Sequence, residues 1–159
     1  MMYYVSVLLL TLILPGGSVY AQQALSHSVL PLMLLVGKWF TFWAVGVRLL
    51  IAGIRQQWQP KFTAQEIFGV MSDDPLVFIE ELGMANAAMG VIGIIAVFVP
   101  SFVLPAAIVG GLYYAQAGIG HLHHSRRNAH RNFAMISDLF VAVMLLAYVG
   151  WAVASYMGL

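Results

Sequence analysis

Three ionisable residues, Lys38, Arg48 and Asp138, stand inside long apolar runs. In a bilayer such a group costs roughly 3 kcal/mol or more unless it finds a partner, so it marks an ion or proton path, a ligand counter-charge or a buried pair. Arg48 lies seven residues before Arg55, where its run turns polar. At a helical rise of 1.5 Å per residue that is about 10 Å from the boundary. Asp138 lies about five residues into a run that enters from the same side, at nearly the same depth. Matched depth and opposite charge make Arg48 and Asp138 a candidate pair. Glu81, near the start of another run, competes for Arg48 or completes a polar centre with Asn86. Arg48, Asp138, Glu81 and Asn86 therefore form the candidate buried polar centre. It serves either as a clamp that sets helix register or as an anion or proton site open to the side of the loops. Lys38 has no acid at its depth and is expected to snorkel to the headgroups at the other end.

His121, His123, His124 and His130 are the other residues with chemistry in them. His121 and His124 are three apart and His123 and His130 seven apart, spacings that place each pair on one helical face. Imidazole suits zinc, copper, iron or nickel. The cluster nevertheless lies among Arg126, Arg127 and Arg131, which repel a cation, and His27 is the one histidine elsewhere. These four are weak metal candidates, and the expectation is no metal and no cofactor. The pattern reads more simply as a polar, lipid-facing loop. Cysteine is absent, which removes thiolate catalysis, disulfides and cysteine-ligated clusters. No phosphate-binding glycine loop and no nucleophile–base spacing occurs.

The elements that must position these residues are apolar helices. In a chain of 159 residues, 62% are hydrophobic and 8% charged, with a mean hydropathy of +0.89. A soluble domain is about 25% charged, and a chain this short has too little interior to bury so much apolar surface. The net charge of +1 excludes a nucleic-acid binder that works through a basic face. Outside the three intramembrane charges, every Lys, Arg, Asp and Glu falls within residues 55–81 or 126–131.

Four runs, residues 29–54, 83–99, 102–120 and 133–156, have the length of single crossings. The fold expected is an all-α polytopic membrane protein: a four-helix transmembrane bundle, residues 22–159, with a cytoplasmic interfacial loop at 55–82. Residues 1–21 resemble a signal peptide, either cut after Ala21 or retained, with a short apolar stretch at 5–14, Pro15-Gly16-Gly17, and small residues at Val19 and Ala21. The basic residues place loops 55–82 and 121–132 in the cytoplasm of a bacterial inner membrane, and both termini outside. Thr63-x-x-Glu66 has capping-box spacing and Asp74-Pro75 that of a helix start. Ala107-x-x-x-Gly111-x-x-x-Ala115, Gly150-x-x-x-Ala154-x-x-x-Gly158 and the Asn86, Gly90, Gly93 face are candidate helix contacts.

Several stretches together carry a resemblance: Gly37-Lys38-Trp39-Phe40, Phe42 to Arg48, Gln59 to Phe68, Glu81 to Asn86, Gly110 to Tyr114 with His121, and Ser137-Asp138-Leu139. The chain resembles an uncharacterised family of small bacterial integral-membrane proteins and, more loosely, the four-helix DoxX-like proteins. The resemblance covers residues 37–140 and implies a four-helix membrane bundle without an activity. The function expected is a non-enzymatic accessory or interaction subunit of an inner-membrane complex. The partners expected are membrane lipids and a larger complex or homo-oligomer, with no nucleic acid. The alternative is a small-molecule-binding, transport or oxidoreductase-partner protein with a cytoplasm-facing pocket around Arg48, Glu81, Asn86 and Asp138. An open polar cavity at Arg48 with ligand or water density favours the second reading, and a closed pair in a dry bundle favours the first.

Overall fold

Pro15 shapes the first departure from these expectations. The computed structural model describes residues 2–25, 30–73, 76–123 and 128–158. Five helices in it are long and apolar enough to cross a membrane: α1 (Met2–Leu25), α2 (Leu32–Trp58), α3 (Leu76–Phe98), α4 (Pro100–His123) and α5 (Ala129–Met157). By length and composition the chain is a multi-pass membrane protein, with five candidate spans where the sequence reading anticipates four plus a signal segment. The additional one is α1. Its apolar stretch of ten residues does not stop at Pro15-Gly16-Gly17 but continues as helix to Leu25. A proline inside a helix removes one hydrogen bond and crowds the preceding turn. Here a wider π-helical turn, Leu9–Ile13, lies just before it, a device that absorbs such a mismatch. Pro15 is fully buried, and Val7, Thr11 and Val19 are buried with it.

The helices pair as α2 with α3 and α4 with α5, and α1 lies along α2. Glycines make the α2–α3 seam. A Cβ added to Gly93 would lie 2.4 Å from the backbone nitrogen of Gly46, and one on Gly90 would lie 2.5 Å from that of Leu50. Gly53 and Gly83 meet in the same way farther along. Without side chains in between, the two backbones touch, which is how helices gain dispersion energy in lipid. Gly83, Asn86, Gly90 and Gly93 are all buried, so the face read from Asn86, Gly90 and Gly93 is an internal one. Ala107 and Gly111 of α4 are buried as well, and Gly111 abuts Leu145 and Leu146 of α5. The Gly150 stripe differs, because nothing lies within 4 Å of a Cβ placed on Gly150. Among the described residues, neither Gly150 nor Gly158 makes a close contact.

The α2–α3 connection is tighter than an interfacial loop at 55–82. Helix α2 runs to Trp58, a short turn Pro60–Phe62 and a second π-helical turn Thr63–Ile67 follow, and α3 begins by Leu76. The capping-box expectation at Thr63 is corrected, because proline at Pro60 already opens the turn and no side chain caps it. The Glu66 carboxylate instead lies 3.6 Å from His130 Nδ1. Gly69, at φ +69°, takes a left-handed conformation that other residues adopt at a cost, and the chain turns away there. Asp74 and Pro75 lie outside the described residues.

Candidate functional site

A third π-helical turn, Thr41–Val47, immediately precedes Arg48. Such a turn changes the phase of the helix after it and is common at functional sites. Gly46 and Gly53 face α3, while Arg48 points the other way. There, Arg48 Nη2 donates to Asp138 Oδ1 at 2.8 Å and to Ser137 Oγ at 3.3 Å. Ser137 in turn donates to the Ala134 carbonyl at 2.9 Å. The second oxygen of Asp138 lies 3.9 Å from His121 Nε2. Arg48 Cζ also lies 5.0 Å from the ring centre of Tyr114, whose hydroxyl donates to the Ala44 carbonyl. Arg48 Nη1 is buried and has no hydrogen-bond partner among the described residues.

Arg48, Tyr114, His121 and Asp138 form part of the wall of a cavity of about 560 Å³, to which every helix contributes. Helix α1 supplies Tyr3, Ser6, Val7 and Leu10; α2 supplies Arg48, Ala52, Arg55 and Gln56; α3 supplies Leu82 and Asn86. Tyr113, Tyr114, Gln116 and His121 come from α4, and Arg131, Ala134 and Asp138 from α5. Phe62, Thr63, Ile67 and Phe68 of the α2–α3 connection close one end. The walls are mainly apolar. Ser6, Arg55 and Gln116 are exposed, so the cavity reaches the surface.

The connection is held over the cavity by α5. Arg131 Nη2 donates to the Phe68 carbonyl at 3.0 Å, and Asn128 Nδ2 to the Glu66 carbonyl at 2.9 Å. Arg55 lies against the face of Phe62, its Cζ 3.5 Å from the ring centre. On the α3 side, Asn86 Nδ2 donates to Gln56 Oε1 at 2.7 Å, deep in the bundle.

Of the four residues anticipated from sequence, Arg48, Asp138 and Asn86 reach this cavity. Glu81 does not: it is exposed and outside the lining. Five residues separate it from Asn86, which rotates it roughly 140° around α3 at 3.6 residues per turn. The histidines separate into different settings. His121 faces Asp138, His123 is exposed with Nδ1 2.9 Å from the Ile119 carbonyl, and His130 stacks on Tyr4 at 5.0 Å. His124 lies outside the described residues, and among those described no three His, Asp or Glu side chains converge as a metal site would need. Lys38, expected to snorkel, is 3.4 Å from Gln22 Oε1 and lies over Trp39.

The α1 residues, Arg131 and the tyrosine pair were not read as site residues from sequence. One signal pointed to some of them. Arg48 and Arg55, Tyr114 and His121, and Arg131 and Asp138 are each seven residues apart, so each pair lies on one face of its helix. Comparison with curated proteins and with solved structures finds no match. A family model described as a family of unknown function, DUF6790, matches residues 1–157.

Proposed function

The chain belongs to the DUF6790 family, and we propose that it is a membrane protein that binds a small organic molecule in the cavity beside Arg48. One observation carries the reading: the Arg48–Asp138 pair is part of the wall of a cavity of about 560 Å³. Sites for small molecules measure about 300–1,000 Å³ and combine apolar walls with a few convergent polar groups. A pair that served only to fix helix register would be expected in a closed, dry bundle. The cavity therefore favours the ligand-binding alternative over the accessory subunit.

In this reading α1 stays with the protein as a span. Its interior face is buried, and Trp39 Nε1 and Trp43 Nε1 donate to Gln22 Oε1 at 2.8 Å and Ser18 Oγ at 3.0 Å. The family match also includes this segment. Removal after Ala21 would take away Tyr3, Ser6, Val7 and Leu10, and with them one wall. The basic connections are cytoplasmic under the positive-inside rule. Tyr3 lies beside Phe62 and His130, so the start of α1 is on that side too. Five crossings then leave the C-terminal end of α5 outside, and the expectation of two external termini is revised accordingly.

The test is extraction of the full chain into polymer nanodiscs without detergent, followed by native mass spectrometry. A stoichiometric small molecule is expected on the wild type, with an intact mass that includes α1. The cavity-filling variant Ala117→Phe should be recovered folded and empty. Recovery of the wild type with partner proteins but without any small molecule would sink the proposal and return the accessory subunit to first place.

A further inference from the structure

We propose that the ligand of this cavity is an organic anion: a carboxylate or phosphate on an apolar or aromatic body. The inference rests on the ligand-binding reading and names the substrate class of the same site. It begins with charge. Three guanidinium groups, of Arg48, Arg55 and Arg131, line the cavity, and Asp138 is the one acid among the described lining residues. That carboxylate is already engaged, with one oxygen on Arg48 and the other facing His121. The other described acids lie elsewhere. Glu66 faces His130, Asp73 pairs with Lys61 at 3.0 Å, and Glu80 and Glu81 are not in the lining. Asp74 lies outside the described residues.

Arg48 and Arg55 against the single carboxylate of Asp138 leave a positive charge at the cavity without counting Arg131, and apolar walls that lower the dielectric strengthen its attraction to an anion. The buried Arg48 Nη1, without a hydrogen-bond partner among the described residues, is a donor already in place for such a counter-charge. Guanidinium groups suit planar carboxylates and phosphates, to which they donate in parallel pairs.

Size and shape supply the rest. About 560 Å³ is room for roughly 20 water molecules at about 30 Å³ each, far more than a bare inorganic ion fills. Leu10, Leu49 and Ile67 offer an apolar surface, and Tyr3, Phe62, Phe68, Tyr113 and Tyr114 offer ring faces and edges. Such a wall suits an acyl anion from the membrane and an aromatic acid from the aqueous phase alike. The shared chemistry is an acidic head on a water-averse body.

The experiment uses the full chain in phosphatidylcholine nanodiscs and two matched pairs of probes: laurate with lauryl alcohol, and 1-naphthoate with 1-naphthamide. Native mass spectrometry reads occupancy. At least one acid should bind about tenfold or more tightly than its neutral counterpart, the scale of one charge-assisted hydrogen bond. A laurate preference assigns the ligand to the membrane, and a naphthoate preference to the aqueous phase. Arg55 is exposed, so Arg55→Gln should fold normally and reduce the preference several-fold, whereas Arg55→Lys should keep part of it. Neutral probes that bind as well as the acids would overturn the anion class and leave the cavity reading standing. A wild-type protein that takes up neither pair and co-purifies with no small molecule would overturn both. An acid preference that Arg55→Gln and Arg131→Gln both leave untouched would also overturn the assignment.

Discussion

Helix α2 has two faces that solve opposite problems. Towards α3 it presents Gly46, Leu50 and Gly53, and the backbones approach until an added Cβ would meet main-chain atoms. Towards α1, α4 and α5 it presents Arg48, Ala52 and Arg55, and the helices stand apart around a cavity. In lipid no hydrophobic effect pulls helices together, so close approach must come from shape. Small residues provide that at the seam. At the cavity, long polar side chains hold the helices apart and must find partners, which Arg48 and Asp138 do for each other. The seam holds the helices together, and the other face of the same helix is left to line the cavity.

The comparison is most severely tested at Asp138. Asp138→Ala would leave the Arg48 charge buried and uncompensated and should cost about 3–5 kcal/mol, read as thermal unfolding in nanodiscs. The double variant Arg48→Met with Asp138→Leu removes both charges and should recover most of that loss while it abolishes the ligand. Should the double variant be as unstable as the single one, the pair is not the source of the cost. At the seam, Gly93→Val should destabilise by about 1–3 kcal/mol through overpacking. A variant as stable as wild type would show that α2 and α3 are less tightly apposed than described.

Smaller effects belong to α1. Trp39→Phe and Trp43→Phe should each cost about 0.6 kcal/mol, the mean worth of an interhelical hydrogen bond in a membrane protein. They should also weaken ligand retention by loosening one wall. Undiminished ligand in the double tryptophan variant would argue that α1 is held by packing alone. Least of all should change in Gly150→Leu, expected within about 0.5 kcal/mol of wild type, because the added side chain meets open space. A large loss there would mean that the Gly150 stripe holds a contact with a second chain.

Much of this was legible in residue type and spacing. The Arg48–Asp138 contact follows from two depths measured along helices, a one-dimensional quantity that hydropathy supplies. The inward Asn86, Gly90 and Gly93 face follows from helical period. The i, i+7 spacings of Arg48 with Arg55, Tyr114 with His121 and Arg131 with Asp138 were equally available, and they mark three of the faces that meet at the cavity. Glu81 lies outside the lining because a matched depth does not fix azimuth. The length of α1 is not legible, because Pro15-Gly16-Gly17 punctuates most sequences, whereas here a π-helical turn carries the helix through it.

Helix type, apolar length and the depth of each charge were set by the chain alone, since each depends on neighbours along one helix. Which faces meet, whether the helices touch or stand apart, and that α1 supplies a wall were decided only in the tertiary structure. The physical reason is rotation. A π-helical turn before Arg48 and another before Pro15 shift helical phase by amounts that no residue pattern states, and a cavity exists only where the phases of five helices agree.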